Sequence, residues 1–320
     1  MKFDYIIGNP PYQMEDGGAG ASATPVYNKF IDAVKELDPS VLSLIIPAKW
    51  YSGGKGLDQF RQEMLNDSHI RRLADYTNSL DVFPDADIAG GVCIFVRDKS
   101  YEGGCHYSNT HNGITTKCQR KLDMFDTFIR YPLAESIIEK TTALKEITLT
   151  DFVSTQKPFG LRTYVKPSTE GELLLRYNKG VGPFRKEDVT AGFDMIDKWK
   201  IIISYLSAEH AGQPDKNGQF RILSTTEKLP PKSICTETYL VAGAFDTEAE
   251  ADNYMAYLKT KFVRFLLAQV VVTQHISKAS FVFVPAQDFT KQWTDEELFK
   301  KYKLTSEEIA FINNMIKEMN

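Results

Sequence analysis

The sequence predicts an α/β fold in its first part and a separate mixed α/β domain after it. Three observations carry that expectation. Short apolar runs alternate with stretches of helical period over the first hundred residues. Each of the first two apolar runs stops at a proline-stiffened turn. From about residue 150 the text becomes irregular and rich in turn residues (KPFGLRT, KPSTEGE, NKGVGPF, GQPDKNG, LPPK). At 320 residues the chain exceeds what one core usually serves, so two domains are expected, 1–147 and 148–320.

Taken in order, Phe3 to Ile7 reads as a buried strand that stops at Gly8-Asn9-Pro10-Pro11-Tyr12. Two consecutive prolines fix two φ angles, remove two N–H donors and push Asn9 out of the helical region. Gly17 to Ala23 reads as a mobile stretch. Val26, Phe30, Ile31, Val34 and Leu37 then give Pro25–Leu37 a helical period. Val41 to Ile46 is a second strand, ending at Pro47-Ala48-Lys49-Trp50 and Gly53-Gly54. Leu57–Leu65 reads as a helix, Ile70–Tyr76 as a third strand, and Val92–Val96 as a fourth after Gly90-Gly91. Such alternation argues a mainly parallel sheet with helices on both faces. Ligands bind at the carboxyl ends of strands in such sheets, where Asn9–Tyr12 and Pro47–Trp50 both fall.

Beyond residue 100, Cys105–Ser108 and Ile114–Cys118 look like strands of a hairpin turned by Asn112-Gly113. Leu133–Leu144 suits a helix. Helices are also expected over Glu248 to about Val270, Thr294–Tyr302 and Ser306–Met319, the last starting at Ser306 and reading as a solvated amphipathic cap.

Composition narrows the function. Net charge is −4 and the pI about 5.8, which excludes a uniformly basic surface, so any nucleic-acid contact must use a local patch. Residues 157–235 hold 13 Lys+Arg against 9 Asp+Glu, a local net of +4, and Arg162, Arg176, Lys179, Arg185 and Lys186 are the candidates for tracking phosphates. The four cysteines are scattered, with no metal-like spacing, as for reduced thiols in a cytoplasmic protein; no metal is expected. No apolar run approaches the length of a membrane span, and no signal peptide precedes Asn9.

The first turn carries chemistry. The Asn9 side-chain oxygen and the Pro10 carbonyl, held rigidly about one residue apart, form two converging acceptors suited to an –NH2 group. Holding that nitrogen out of its ring plane would localise its lone pair. Tyr12 supplies a flat face on which a base can stack, worth roughly 1–3 kcal/mol. No general base of high pKa is required; positioning and electrostatics suffice.

Asn-Pro-Pro-Tyr resembles the catalytic motif of the amino-methyltransferases. IIPAKWYSGGKGLDQFRQEML and LDVFPDADIAGGVCIFV resemble later motifs of the adenine-specific restriction–modification methylases, and TETYLVAGAFDTEAEADNYMAYLKTKFVRFLL with SFVFVPAQDF and WTDEELFKKYKLTSEEIAFI is similar to their target-recognition end. The resemblance implies a partial Rossmann-like methyltransferase sheet, late strands only, followed by a target-recognition domain. It implies methyl transfer from S-adenosylmethionine to the amino nitrogen of an adenine flipped out of double-stranded DNA. Asn9 and Pro10 would hold that nitrogen next to the cofactor, Pro11 would set the turn, and Tyr12 and Phe83 would sandwich the base; Lys49 reads by itself as either a solvated or a phosphate-facing lysine. The family places a glycine-rich turn and an acidic residue for the cofactor ahead of this motif, whereas eight residues precede Asn9 here. The expectation is therefore that most of the cofactor site lies outside this chain, with a second chain as candidate partner. Val241–Phe245 is the nearest glycine-bearing substitute and lacks the second glycine. The alternatives are a DNA-binding or interaction protein with a methylase fold and no catalysis, and a protein-glutamine methyltransferase using the same loop.

Overall fold

The computed structural model describes residues 3–14, 24–54, 56–111, 113–209, 214–215, 217–271 and 274–319. The stretch Gly17–Ala23 and Asn112 lie outside them. The chain divides into two units, Met1–Pro132 and a second that begins at Leu133.

The first unit is built on a six-stranded sheet whose order is β1-β2-β4-β3-β5-β6. Its strands are β1 (Tyr5–Gly8), β2 (Val41–Pro47), β3 (Ile70–Tyr76), β4 (Val92–Asp98), β5 (Cys105–His111) and β6 (Ile114–Arg120). Two neighbouring pairs are parallel, β1 with β2 and β3 with β5. Because β4 runs antiparallel between β2 and β3, and β6 antiparallel to β5, the sheet is mixed rather than mainly parallel. The four strands β1, β2, β3 and β5 nevertheless share one direction. Their carboxyl ends therefore lie along one rim, where β4 also begins.

Helix α1 (Tyr27–Glu36) connects β1 to β2, and α2 (Asp58–Asn66) connects β2 to β3. The expectation of helices on both faces is corrected here. Both connections step the same way across the sheet, and right-handed crossovers then place both helices on the same side. Tyr27 and Ile31 of α1 and Phe60 and Met64 of α2 accordingly share one buried cluster with Leu42, Leu44, Leu73 and Phe95. On the alternate strand positions Ser43, Ile45, Ile94 and Val96 are only half-buried.

The first strand also departs from expectation. It is not buried: Tyr5 is 71% and Ile7 79% exposed, because β1 is the edge of the sheet and only Ile6 packs against the core. The hairpin forms as expected, with His111 opposite Ile114 and Gly113 at φ 75°.

The second unit contains two three-stranded sheets. One orders β11-β7-β8, from β7 (Leu173–Tyr177), β8 (Gly180–Phe184) and β11 (Ser233–Cys235); the other orders β10-β9-β12, from β9 (Trp199–Ser204), β10 (Thr226–Leu229) and β12 (Tyr239–Phe245). Helix α3 (Pro132–Thr142) packs with this unit, since Ser136 and Lys140 both bond the buried Glu308 carboxylate of α7 (Ser306–Met315). That final helix is thus docked, not a solvated cap, and its N-cap is Thr305, whose hydroxyl accepts from the Glu308 N–H in a complete capping box. The long helix expected from Glu248 is two helices, α4 (Glu248–Lys259) and α5 (Lys261–Val270). Thr260 breaks it by adopting ψ 150° and capping α5 through the Val263 N–H. Helix α6 (Asp295–Lys301) starts from a Thr294–Glu297 capping box. Val241–Phe245 is part of a buried strand with a register shift at Ala242, between Val241 and Gly243, not a cofactor loop.

Candidate active site

The turns after β1 and β2 converge. Asn9, Pro10, Pro11 and Tyr12 line a cavity of about 630 Å³ together with Pro47 and Lys49, and its remaining wall includes Gln13, Pro25 and the segment Asp87-Ile88-Ala89. The first turn is held by its exit: Val26 N–H donates to the Tyr12 carbonyl (3.2 Å) and Met14 N–H to Thr24 (3.2 Å). Asn9 is exposed and Pro10 buried, and no donor among the described residues reaches the Pro10 carbonyl. Lys49 is exposed at the cavity margin, whereas Trp50 is wholly buried and serves packing: its indole N–H points at Cys93 Sγ (3.5 Å) and its ring lies against Tyr51 and Phe128.

Tyr12 is half-buried, and its phenol oxygen is buried with no hydrogen-bond partner. Burial, with Cys93 nearby, pushes its pKa up to about 12, while the Asn9 side chain lies close enough to oppose the rise without meeting hydrogen-bond geometry. An unsatisfied buried hydroxyl costs about 1–3 kcal/mol. Together with the Pro10 carbonyl, it marks polar groups that a bound molecule would satisfy.

The Asp87–Ala89 wall was not singled out from sequence, and only the neighbouring Gly90-Gly91 pair hinted at it. Its backbone is fixed on both sides of Asp87: the buried Ser79 hydroxyl donates to Ala86 O (2.8 Å) and accepts from Ile88 N–H (2.7 Å). Gly91 has φ 79°, and a Cβ there would lie 2.1 Å from the Tyr76 carbonyl, so only glycine fits. Its own carbonyl accepts from Ala48 N–H (3.0 Å), tying the wall to the end of β2. Arg130 completes the support, donating to Gly90 O (2.8 Å) while its fork grips the buried Asp75 of β3 at 2.6 and 2.8 Å.

Phe83 belongs to this same loop but is not among the cavity-lining residues; it is half-buried, with its N–H bonded to Ser79 O. The candidate phosphate-tracking residues lie in the second unit. Arg162 pairs with Glu237, Arg176 with Glu227, and Arg185 with Glu187 and Asp188, while Lys179 and Lys186 are exposed.

Residues 1–83, which include the Asn9–Tyr12 turn, match the Eco57I restriction-modification methylase family. The similarity to that methylase family covers about the first quarter of the chain. A curated relative, an uncharacterized adenine-specific methylase of Mycoplasma pneumoniae, is 36% identical over 106 residues, covering 32% of this chain and 25% of that protein. The chain thus spans about a quarter of that relative's length. Among solved structures, it is similar to the type IIL restriction-modification enzyme MmeI in complex with DNA (8% identity, TM-score 0.46, 99% of this chain and 55% of that one). It is also similar to the type IIG restriction endonuclease BpuSI (10% identity, TM-score 0.35, 92% and 50%). The matched residues end at Phe83 and so take in β1, β2 and β3, the Asn9 and Lys49 turns and the start of the supporting loop. Among the described residues no helix is long and apolar enough to cross a membrane, and no group of three His, Cys, Asp or Glu side chains could hold a metal.

Proposed function

We propose that this chain is the catalytic-turn and target-recognition part of an adenine-specific DNA methyltransferase of a restriction–modification system. The observation that carries the reading is the meeting of the Asn9–Tyr12 and Pro47–Lys49 turns in one cavity at the carboxyl ends of parallel strands. In this reading Asn9 Oδ1 and the Pro10 carbonyl accept the two N–H bonds of the adenine amino group. Tyr12 offers its ring to one face of the flipped base, and Phe83, on the adjoining loop, moves to the other. Lys49 meets a phosphate at the margin, and Asp87 forms the opposite wall.

Methyltransferases of this family take the methyl group from S-adenosylmethionine. The described residues suit only its reactive end. Beyond Asn9 and Pro10 a second cavity of about 440 Å³ opens along β1, lined by Phe3, Tyr5, Ile6, Ile7, Phe30 and Leu37 among others, with no carboxylate to hold a ribose. The exposed β1 edge and these apolar side chains favour a further strand and helix, from another polypeptide or another segment, that would bring the remaining contacts. The same apolar lining is the observation that favours the second reading, a DNA-binding protein with a methylase fold and no catalysis.

One measurement tests the missing cofactor contacts, and a second separates the two readings. Calorimetry on this chain should show no micromolar binding of S-adenosylmethionine. Methyl incorporation into adenine-containing duplex should appear once a polypeptide carrying the cofactor contacts is added. Duplex binding without incorporation under that condition would select the non-catalytic reading.

A further inference from the structure

We infer that the second unit grips the phosphate backbone of duplex DNA through a basic groove among α4, α5, α6 and α7, rather than through the ion-paired arginines Arg162, Arg176 and Arg185. The inference rests on the DNA-methyltransferase reading and locates its non-specific contacts. The groove exists because Thr260 breaks the α4–α5 helix and turns the second half away. The Phe262 ring then stacks on Tyr302 at 5.0 Å and 7°, fixing the end of α6 over the start of α5. An open cavity of about 1030 Å³ results, and Lys259, Lys261, Arg264, Lys300 and Lys303 all line it.

Its acids are mostly occupied. The Asp295 carboxylate accepts the N–H groups of Lys261 (3.0 Å) and Phe262 (2.8 Å) at the head of α5. Glu318 pairs with Lys261, which leaves Glu296. Lys259, Lys300 and Lys303 have no carboxylate partner among the described residues. Arg264 is buried and donates to the backbone carbonyls of Lys259, Arg221 and Lys317, so no hydrogen-bonded carboxylate neutralises it. The lining thus carries five cations against Asp295, Glu296 and Glu318, a net of +2, with Lys259, Lys300 and Lys303 in no ion pair among the described residues, while Arg162, Arg176 and Arg185 are each held in ion pairs by carboxylates of their own unit. A phosphate at those arginines competes with a carboxylate already in place, whereas at Lys259, Lys300 and Lys303 it meets no ion-paired carboxylate.

The groove also lacks a free stacking platform. Trp293, its one tryptophan, is covered by Lys291 at 3.8 Å and Lys301 at 5.0 Å from the ring centre. Charge without a stacking face suits the backbone of paired DNA rather than the splayed bases of a single strand.

The test is fluorescence anisotropy with a labelled duplex across a salt series, on the full chain, comparing Lys259→Gln/Lys300→Gln/Lys303→Gln with Arg162→Gln/Arg185→Gln. Loss of three phosphate contacts should reduce the slope of log affinity against log salt by about 2.7 and weaken binding at least about tenfold near 0.1 M salt. The arginine pair should stay within about twofold. The exposed pair Lys300→Glu/Lys303→Glu should weaken binding at least as much, with thermal unfolding unchanged. An unaltered slope in the lysine variants, with the parent binding duplex, would overturn the groove and leave the methyltransferase reading standing. A parent that binds no duplex even near 0.05 M salt would overturn both, and tighter binding of duplex RNA than of DNA would overturn the choice of partner.

Discussion

The Asp75–Arg130 pair offers the most direct test of how the candidate site is held. Asp75 Oδ2 accepts from Arg130 Nε (2.8 Å), Tyr107 Oη (3.0 Å) and Asn109 Nδ2 (2.6 Å), while Oδ1 accepts from Arg130 Nη2 (2.6 Å). The Asp75 side chain has no exposure and that of Arg130 12%. In Asp75→Asn one amide face would set N–H against the guanidinium or against Tyr107 and Asn109, leaving the arginine charge buried without a counter-ion. Removing one partner of a buried pair costs about 3–5 kcal/mol. That is a large share of the ~5–15 kcal/mol that typically separates folded from unfolded states. Urea unfolding followed through Trp50, wholly buried against Phe60 and Phe128 in this unit, reads the loss locally. Arg130→Met should cost a similar amount, and Asp75→Asn/Arg130→Met clearly less than the two losses combined, because neither charge is then stranded. A loss below about 1 kcal/mol for Asp75→Asn, or strict additivity in the double variant, would refute the argument that this pair clamps Gly90 to the sheet.

Three other outcomes follow from the same geometry. With the cofactor contacts supplied, Asn9→Ala should slow methyl incorporation about 100- to 1000-fold while gel-shift affinity for DNA holds; Tyr12→Phe should be mild and Tyr12→Ala should weaken capture of the base, and near-normal turnover in Asn9→Ala removes the catalytic role. Buried Lys200 donates to the carbonyls of Met195, Ile196 and Lys198, and burial lowers its pKa from 10.5 to about 8, so the unfolded chain binds the extra proton between these values. Its penalty is thus full below pH 8 and fades as pH rises toward 10.5; unfolding free energy of the parent should gain on that of Lys200→Met over this window, and parallel profiles would contradict it. Ile7→Lys on the exposed edge of β1 should reduce self-association in sedimentation at little cost in Tm, since most of the Ile7 side chain is solvent-exposed; a drop of several degrees would show that β1 contributes to the core.

Sequence by itself determined the local facts. The prolines after Ile7 and Ile46, and the runs Val41–Ile46, Ile70–Tyr76 and Val92–Val96, specify strands that end in rigid turns, because φ restriction and side-chain period act within a few residues. Those signals found β1 to β4 and the Asn9 and Lys49 turns that share the cavity. Strand direction and neighbour order depend on long-range pairing, so only the tertiary structure decided that β4 enters antiparallel and that both helices lie on one face. The Asp87 wall had only the adjoining Gly90-Gly91 pair as a local signal; it is held by Ser79, Gly91 and Arg130 together. Charge shows the same limit. Counting lysines and arginines marks 157–235 as basic, but a count is blind to pairing: Arg185 meets its neighbours Glu187 and Asp188, tertiary packing brings Glu237 to Arg162 and Glu227 to Arg176, and among the described residues Lys259, Lys300 and Lys303 have no carboxylate partner.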